Sequence, residues 1–127
     1  MGAPYFIRKN LKQTLVYWGN PKDDGEGGYT FDEPVEIRGR CEYRTEIIRA
    51  GMNEELVSRA RVYLEQPVDD GGYLFLGTLD DPNIGDTMRP DSTDEAMRIL
   101  SQDQVPRISS PGFLYKAFVN ANKYGNN

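Results

Sequence analysis

Val35-Glu36-Ile37-Arg38-Gly39-Arg40-Cys41-Glu42-Tyr43-Arg44 places Val35, Ile37, Gly39, Cys41 and Tyr43 on one side of an extended chain and five charged residues on the other. Successive side chains of a strand point to opposite faces, so this period of two predicts a β-strand with one buried and one charged face. Residues 56–65 repeat the pattern: Leu56, Ser58, Ala60, Val62 and Leu64 lie opposite Val57, Arg59, Arg61, Tyr63 and Glu65. Between the two runs, Ile47-Ile48 and Gly51-Met52-Asn53-Glu54 predict a long hairpin with a flexible tip. Ten residues at ~3.3 Å each span about 33 Å, well beyond the ~17–20 Å of a usual strand. Such a ribbon either bends around a barrel or projects from the body. Glu36 or Glu42 facing Arg59 or Arg61 would set its register more than its stability.

Working outward, Gln13-Thr14-Leu15-Val16-Tyr17-Trp18 is a first strand, dense in β-branched and aromatic residues and stopped by Gly19-Asn20-Pro21. Asp23-Asp24-Gly25-Glu26-Gly27-Gly28 reverses the chain, and Tyr29-Thr30-Phe31 resumes it, which reads as a hairpin. Residues 67–72 form a turn, and Tyr73-Leu74-Phe75-Leu76 is a core strand ending at Gly77. Residues 78–94 are acidic and broken by Pro82, Gly85 and Pro90; a loop of that length is usually functional or ordered by a partner. Residues 96–100 fit a strand or a helical turn capped by Ser92 or Thr93; with Pro106 close behind, strand is preferred. Residues 113–119 are the last strand. The chain of 127 residues is therefore read as one all-β domain, residues 1–127, with an N-terminal arm (1–11) and a polar C-terminal tail (120–127).

Composition narrows function. Hydrophobic residues at 38% and charged residues at 28% suit a globular chain rich in turns. No apolar run nears the ~20 residues of a bilayer crossing, and the start lacks a signal segment, so a cytoplasmic location without membrane contact is expected. Ile7 stands where a myristoylation pattern needs Ser or Thr. With one cysteine and no histidine, an intrachain disulfide, a zinc site and imidazole-based catalysis are all ruled out. Residues 80–86 alternate carboxylates as a calcium loop does, but glycine falls one place early and no glutamate closes the loop, so no metal is assigned. Residues 25–28 lack the Gly-Lys-Ser or Gly-Lys-Thr of a phosphate loop. Cys41 on the inward face reads as a small hydrophobe. Neither a cofactor nor a catalytic residue is expected, and the chain is read as no enzyme.

The net charge of −5 hides a pattern: residues 1–18 and residues 98–127 each sum to +3, residues 19–33 to −4, and residues 65–95 to −8. Two readings fit. These are solvated loops and basic tails, or else the basic arms of one subunit lie on the acidic loops of the next. The candidate inter-subunit contacts are Arg8, Lys9, Lys12, Arg59, Arg61, Asp80, Asp81 and Asp86.

Thr14-Leu15-Val16-Tyr17-Trp18 with its Gly/Asp loop, Pro34-Val35-Glu36-Ile37-Arg38-Gly39-Arg40-Cys41-Glu42, Ser58-Arg59-Ala60-Arg61-Val62-Tyr63-Leu64 and Gly72-Tyr73-Leu74-Phe75-Leu76-Gly77, in that order, resemble the head-closure (stopper) proteins of tailed bacteriophages. Pro106 and Lys116-Ala117-Phe118 fit the family's ending, and Cys41 departs from it, since relatives often carry Trp there. The resemblance implies a small antiparallel β-barrel with a long projecting hairpin and extended termini, in a six- or twelve-fold homo-oligomeric ring of the virion neck, assembled in the bacterial host cytoplasm. Portal and adaptor proteins would lie above it and tail terminator or tail proteins below. A loop between two barrel strands would hold packaged DNA until ejection, without sequence-specific binding; the matching segment is Arg49, Gly51, Met52, Asn53 and Glu54, and residues 78–94 are its rival. An acidic lumen suits that role, because a duplex would stick to a basic one. The alternatives are a tail-completion or other head-tail joining protein, a small nucleic-acid-binding β-barrel stacking bases on Tyr17, Trp18, Tyr29, Phe31 and Tyr43, and, last, an enzyme of unknown type.

Overall fold

Gln13-Thr14-Leu15-Val16-Tyr17-Trp18 is apolar on both sides because both sides are covered. In the computed structural model, which describes residues 13–49, 54–82, 84, 89, 90, 93, 95–106 and 113–121, Leu15 and Val16 point to opposite faces and neither is exposed. The elements are β1 (Gln13–Trp18), β2 (Lys22–Asp23), β3 (Tyr29–Thr30), β4 (Val35–Arg49), β5 (Glu55–Leu64), β6 (Tyr73–Leu76), β7 (Met97–Pro106) and β8 (Phe113–Ala121). Six of them close into an antiparallel barrel in the order β1-β4-β5-β8-β7-β6, with β6 returning to β1. Closure removes the unpaired edges of an open sheet. No helix long and apolar enough to cross a membrane occurs among the described residues.

The interior is filled by Leu15, Ile37, Ala60, Val62, Leu64, Leu74, Met97, Ile99, Ala117 and Val119, each from the inward parity of its strand. Barrel diameter falls with strand number, so six strands leave little room, and small residues stand where walls approach. Gly39 is the tightest point. A Cβ there would lie 2.7 Å from both Leu64 Cδ2 and the Tyr63 carbonyl oxygen. On the outer face of β1 and β6, a second cluster joins Val16, Trp18 and Phe75 under Phe31 and Ile84. The continuous apolar runs of β1 and β6 are thus strands buried on both faces.

The short hairpin forms where the sequence predicts it: β3 pairs with β2, Lys22 opposite Thr30 and Asp23 opposite Tyr29. Local hydrogen bonds explain it. The Gly25 N–H donates to Asp23 Oδ1 at 2.7 Å, and the Glu26 and Gly28 N–H groups donate to Asp24 Oδ1 at 2.7 and 3.0 Å. Gly25 and Gly27 take φ of +81° and +89°, which side chains disfavour, so the reversal closes within a few residues. Phe31 then turns into the outer cluster, edge-on to Tyr73 at 5.6 Å. The ambiguous stretch at 96–100 is strand, as preferred: Met97 opens β7, which pairs with β8 down to Pro106 opposite Phe113.

A hydrogen-bonded latch ties this end of the barrel. The Tyr17 hydroxyl donates to Asp69 Oδ2 at 3.1 Å and accepts from the Asp69 N–H at 2.8 Å, while the Asn20 N–H donates to Asp69 Oδ2 at 2.7 Å. Burial first, and the adjacent carboxylate after it, push the Tyr17 phenol up to about 12.

Candidate functional site

Residues 13–17 of β1 pair with residues 35–39 of β4, and residues 60–64 of β5 pair with β8. Beyond those limits, β4 and β5 have only each other among the strands. Residues 44–49 of β4 and 55–59 of β5 therefore form a ribbon whose five β5 residues extend roughly 16 Å past the last pair between β5 and β8. Ser58 marks the departure: fully buried, its Oγ lies 2.9 Å from the Ala60 carbonyl and 3.3 Å from the Val119 carbonyl, the latter at the last β8 pair. On the β4 side, the last link to β1 is the Cys41 N–H donating to Gln13 Oε1 at 2.6 Å.

The inward face of β4 is accordingly buried only at Ile37 and Gly39, and half-buried at Cys41. Tyr43, on the same parity, is 71% exposed, and Val35 at the other end is 48% exposed, which corrects the expectation of one face buried throughout. The barrel is simply narrower than the strand is long. Burial pushes the Cys41 thiol above its ordinary value, as suits a packing role.

Between Tyr43 opposite Ala60 and Glu46 opposite Ser58, β4 carries one residue more than β5, a β-bulge. The bulge rearranges the charges. Glu42 lies opposite Arg61 in register, yet its carboxylate meets Arg40 at 3.1 Å, and Arg61 instead donates from Nε and Nη2 to Glu46 at 3.0 and 2.8 Å. Glu36 pairs with neither arginine; it accepts from the Leu79 N–H at 2.8 Å. The expected cross-strand pairing thus gives way to one shifted along β4 by the extra residue. These hydrogen bonds hold the Glu46 carboxyl below its usual range. Past the bulge, Ile47 and Val57 face each other 70% and 44% exposed. At the far end, Arg49 and Glu55 are 3.8 Å apart and open to solvent, so that pair contributes little.

Of the gating candidates, Arg49 and Glu54 are at the exposed end of the ribbon, and Gly51, Met52 and Asn53 lie outside the described residues. Of the contact candidates, Arg59 and Asp80 are exposed, Arg61 is engaged by Glu46, and Asp81 is half-buried in a turn in which its N–H donates to the Thr78 carbonyl. Arg8, Lys9, Lys12 and Asp86 lie outside the described residues. Among the described residues, no group of three or more His, Cys, Asp or Glu side chains is placed to hold a metal ion.

The bulge left a trace in the sequence: apolar residues fall on odd positions up to Tyr43, then Ile47 and Ile48 sit side by side and the parity is lost. The Tyr17 and Asp69 latch left none, since its partners are 52 residues apart. Comparison of the chain with protein-family models, curated proteins and solved structures found no match.

Proposed function

We propose that this chain is a structural protein of the tailed-bacteriophage neck, a ring-forming head-closure (stopper) subunit that docks on the portal and adaptor, retains packaged DNA and offers the tail its attachment surface. The observation that supports the reading is the ribbon of β4 and β5, which extends beyond the closed barrel and leaves Tyr43, Ile47 and Val57 exposed among the described residues. An element with few tertiary contacts moves at low cost, as a gate must. Exposed apolar side chains at the end of a ribbon mark a surface that meets another molecule. The basic ends and acidic middle of the chain supply opposite charges for a head-to-tail ring.

The test is imaging of the purified chain, alone and mixed with its portal and adaptor, together with a variant whose ribbon is shortened by excising residues 47–57. The expected result is a ring on the portal and adaptor with either chain, and DNA-filled heads that leak with the shortened one. A chain that stays monomeric at every concentration and salt, and binds neither neighbour, sinks the reading.

A further inference from the structure

Beside the short hairpin, β3, the 70–71 turn and β7 enclose a cleft of about 360 Å³, lined chiefly by Pro21, Tyr29, Phe31, Tyr73, Asp70 and Arg98. Its walls are preorganised: Phe31 and Tyr73 meet edge to face at 5.6 Å and 84°, and Phe31 is anchored in the outer core cluster. Tyr29 is 54% exposed and leaves the cleft open to a chain segment. The surroundings are acidic. Asp70 lines the cleft, the flanking hairpin carries Asp23, Asp24 and Glu26, and residues 19–33 sum to −4.

Residues 1–12 carry the complementary chemistry: Pro4, Tyr5, Phe6 and Ile7, then Arg8, Lys9 and Lys12, with no acid among them. At full extension they reach about 40 Å. Their junction with the barrel, Gln13, pairs with Gly39 at the ribbon end of β1, whereas the cleft wall Tyr73 pairs with Trp18 at the other end. An arm filling its own cleft would have to double back along the whole of β1. One reaching a neighbour leaves directly, because donor and socket sit at opposite ends of the same strand.

The geometry points to arm exchange: residues 4–9 of one copy occupy the aromatic cleft of the next, apolar side chains against Tyr29, Phe31 and Tyr73, and Arg8 and Lys9 against Asp70 and the hairpin carboxylates. Aromatic-lined grooves take proline-containing extended segments in this way, and Arg98 is available to peptide carbonyls. The proposal rests on the ring reading for the identity of the donor, since a second copy is what presents the arm.

The test uses a labelled peptide of residues 1–12, titrated by fluorescence anisotropy into the chain lacking residues 1–11. Saturable binding is expected, weakened roughly fivefold by Tyr29→Ser and about tenfold by Asp70→Lys, and weakened again between about 50 and about 500 mM salt. Both substitutions are at exposed positions, and thermal melts check that the barrel remains folded. Absence of binding, or binding indifferent to both changes, overturns the proposal even where rings form. In the second arm, the armless chain is mixed with a full chain carrying both cleft substitutions. Association of the two, by light scattering, supports exchange between copies; peptide binding without association means that the arm fills its own cleft and overturns it. Peptide binding by a chain that forms no ring would sink the neck reading alone.

Discussion

Replacing Glu46 with Gln and Arg61 with Met, singly and together, measures the ion pair that the bulge creates. Arg61 Nε lies 3.0 Å from both Glu46 oxygens and Nη2 lies 2.8 Å from Oε2, and the two side chains keep only 20% and 18% of their exposure. An exposed pair contributes ~0.2–1 kcal/mol, and a hydrogen bond to a charged group ~1.5–3 kcal/mol. A forked, mostly dry pair falls between, so the coupling energy of the double-mutant cycle is expected at about 1.5 kcal/mol, or about 5 °C in Tm at this chain length. The pH dependence has a definite sign. The Glu46 carboxyl is held below its usual value in the fold, so its contribution is complete above 4.5, the ordinary value, and is lost as pH falls through the lower folded value. The difference between the parent chain and Glu46→Gln should therefore be constant at neutral pH and shrink in acid. A parallel cycle with Glu42→Gln is the control, because Glu42 is the register partner of Arg61 but pairs with Arg40 in the open. Coupling of Arg61 to Glu42 as large as that to Glu46 would refute the bulge and the charge arrangement built on it.

Three further outcomes follow from the packing. Gly39→Ala should cost about 2–3 kcal/mol in urea unfolding, because the new Cβ meets the Tyr63 carbonyl oxygen at 2.7 Å and backbone cannot yield as a side chain can; a neutral result would mean that the barrel wall is looser than described. Asp69→Ala should cost about 1–2 kcal/mol and bring the Tyr17 phenol down from about 12, read as an earlier step in the ultraviolet titration of tyrosinate; an unchanged titration would remove the latch. Cys41, half-buried with its thiol raised by burial, should react with iodoacetamide roughly tenfold more slowly in the native chain than in urea, and equal rates would place it outside the packing.

What the residues disclosed and what they withheld divides along the range of the interaction. The strand at Gln13–Trp18 and that at Tyr73–Leu76 were legible because double burial writes an unbroken apolar run, and β5 was legible because its inward face, from Ser58 to Leu64, alternates to its end. The strand β4 was legible as a strand, but its burial was not: period two reports which side a residue faces, and only the lengths of the neighbouring strands decide whether anything covers it. A Gly/Asp loop shows that the chain reverses, and Asp23 and Asp24 accepting from N–H groups two to four residues on decide how soon. Of the two candidate surfaces, the ribbon was visible as an overlong alternation, whereas the cleft draws on Pro21, Tyr29, Asp70 and Arg98, residues spread along most of the chain that only the closed barrel brings together.

The ribbon also shows how a closed barrel can reopen an edge without inviting indiscriminate pairing. Past Cys41, whose N–H is still held by Gln13, one side of β4 has no strand partner among the described residues. That edge carries Glu42, Arg44 and Glu46, and the bulge before Glu46 breaks its regular spacing, both of which oppose strand addition. The apolar surface lies elsewhere, on the face shared by Ile47 and Val57. A molecule docking on the ribbon would meet side chains across that face rather than a β-ladder. Such a contact would form and release without unzipping a β-ladder and would leave the pairing of the six-stranded barrel as it is.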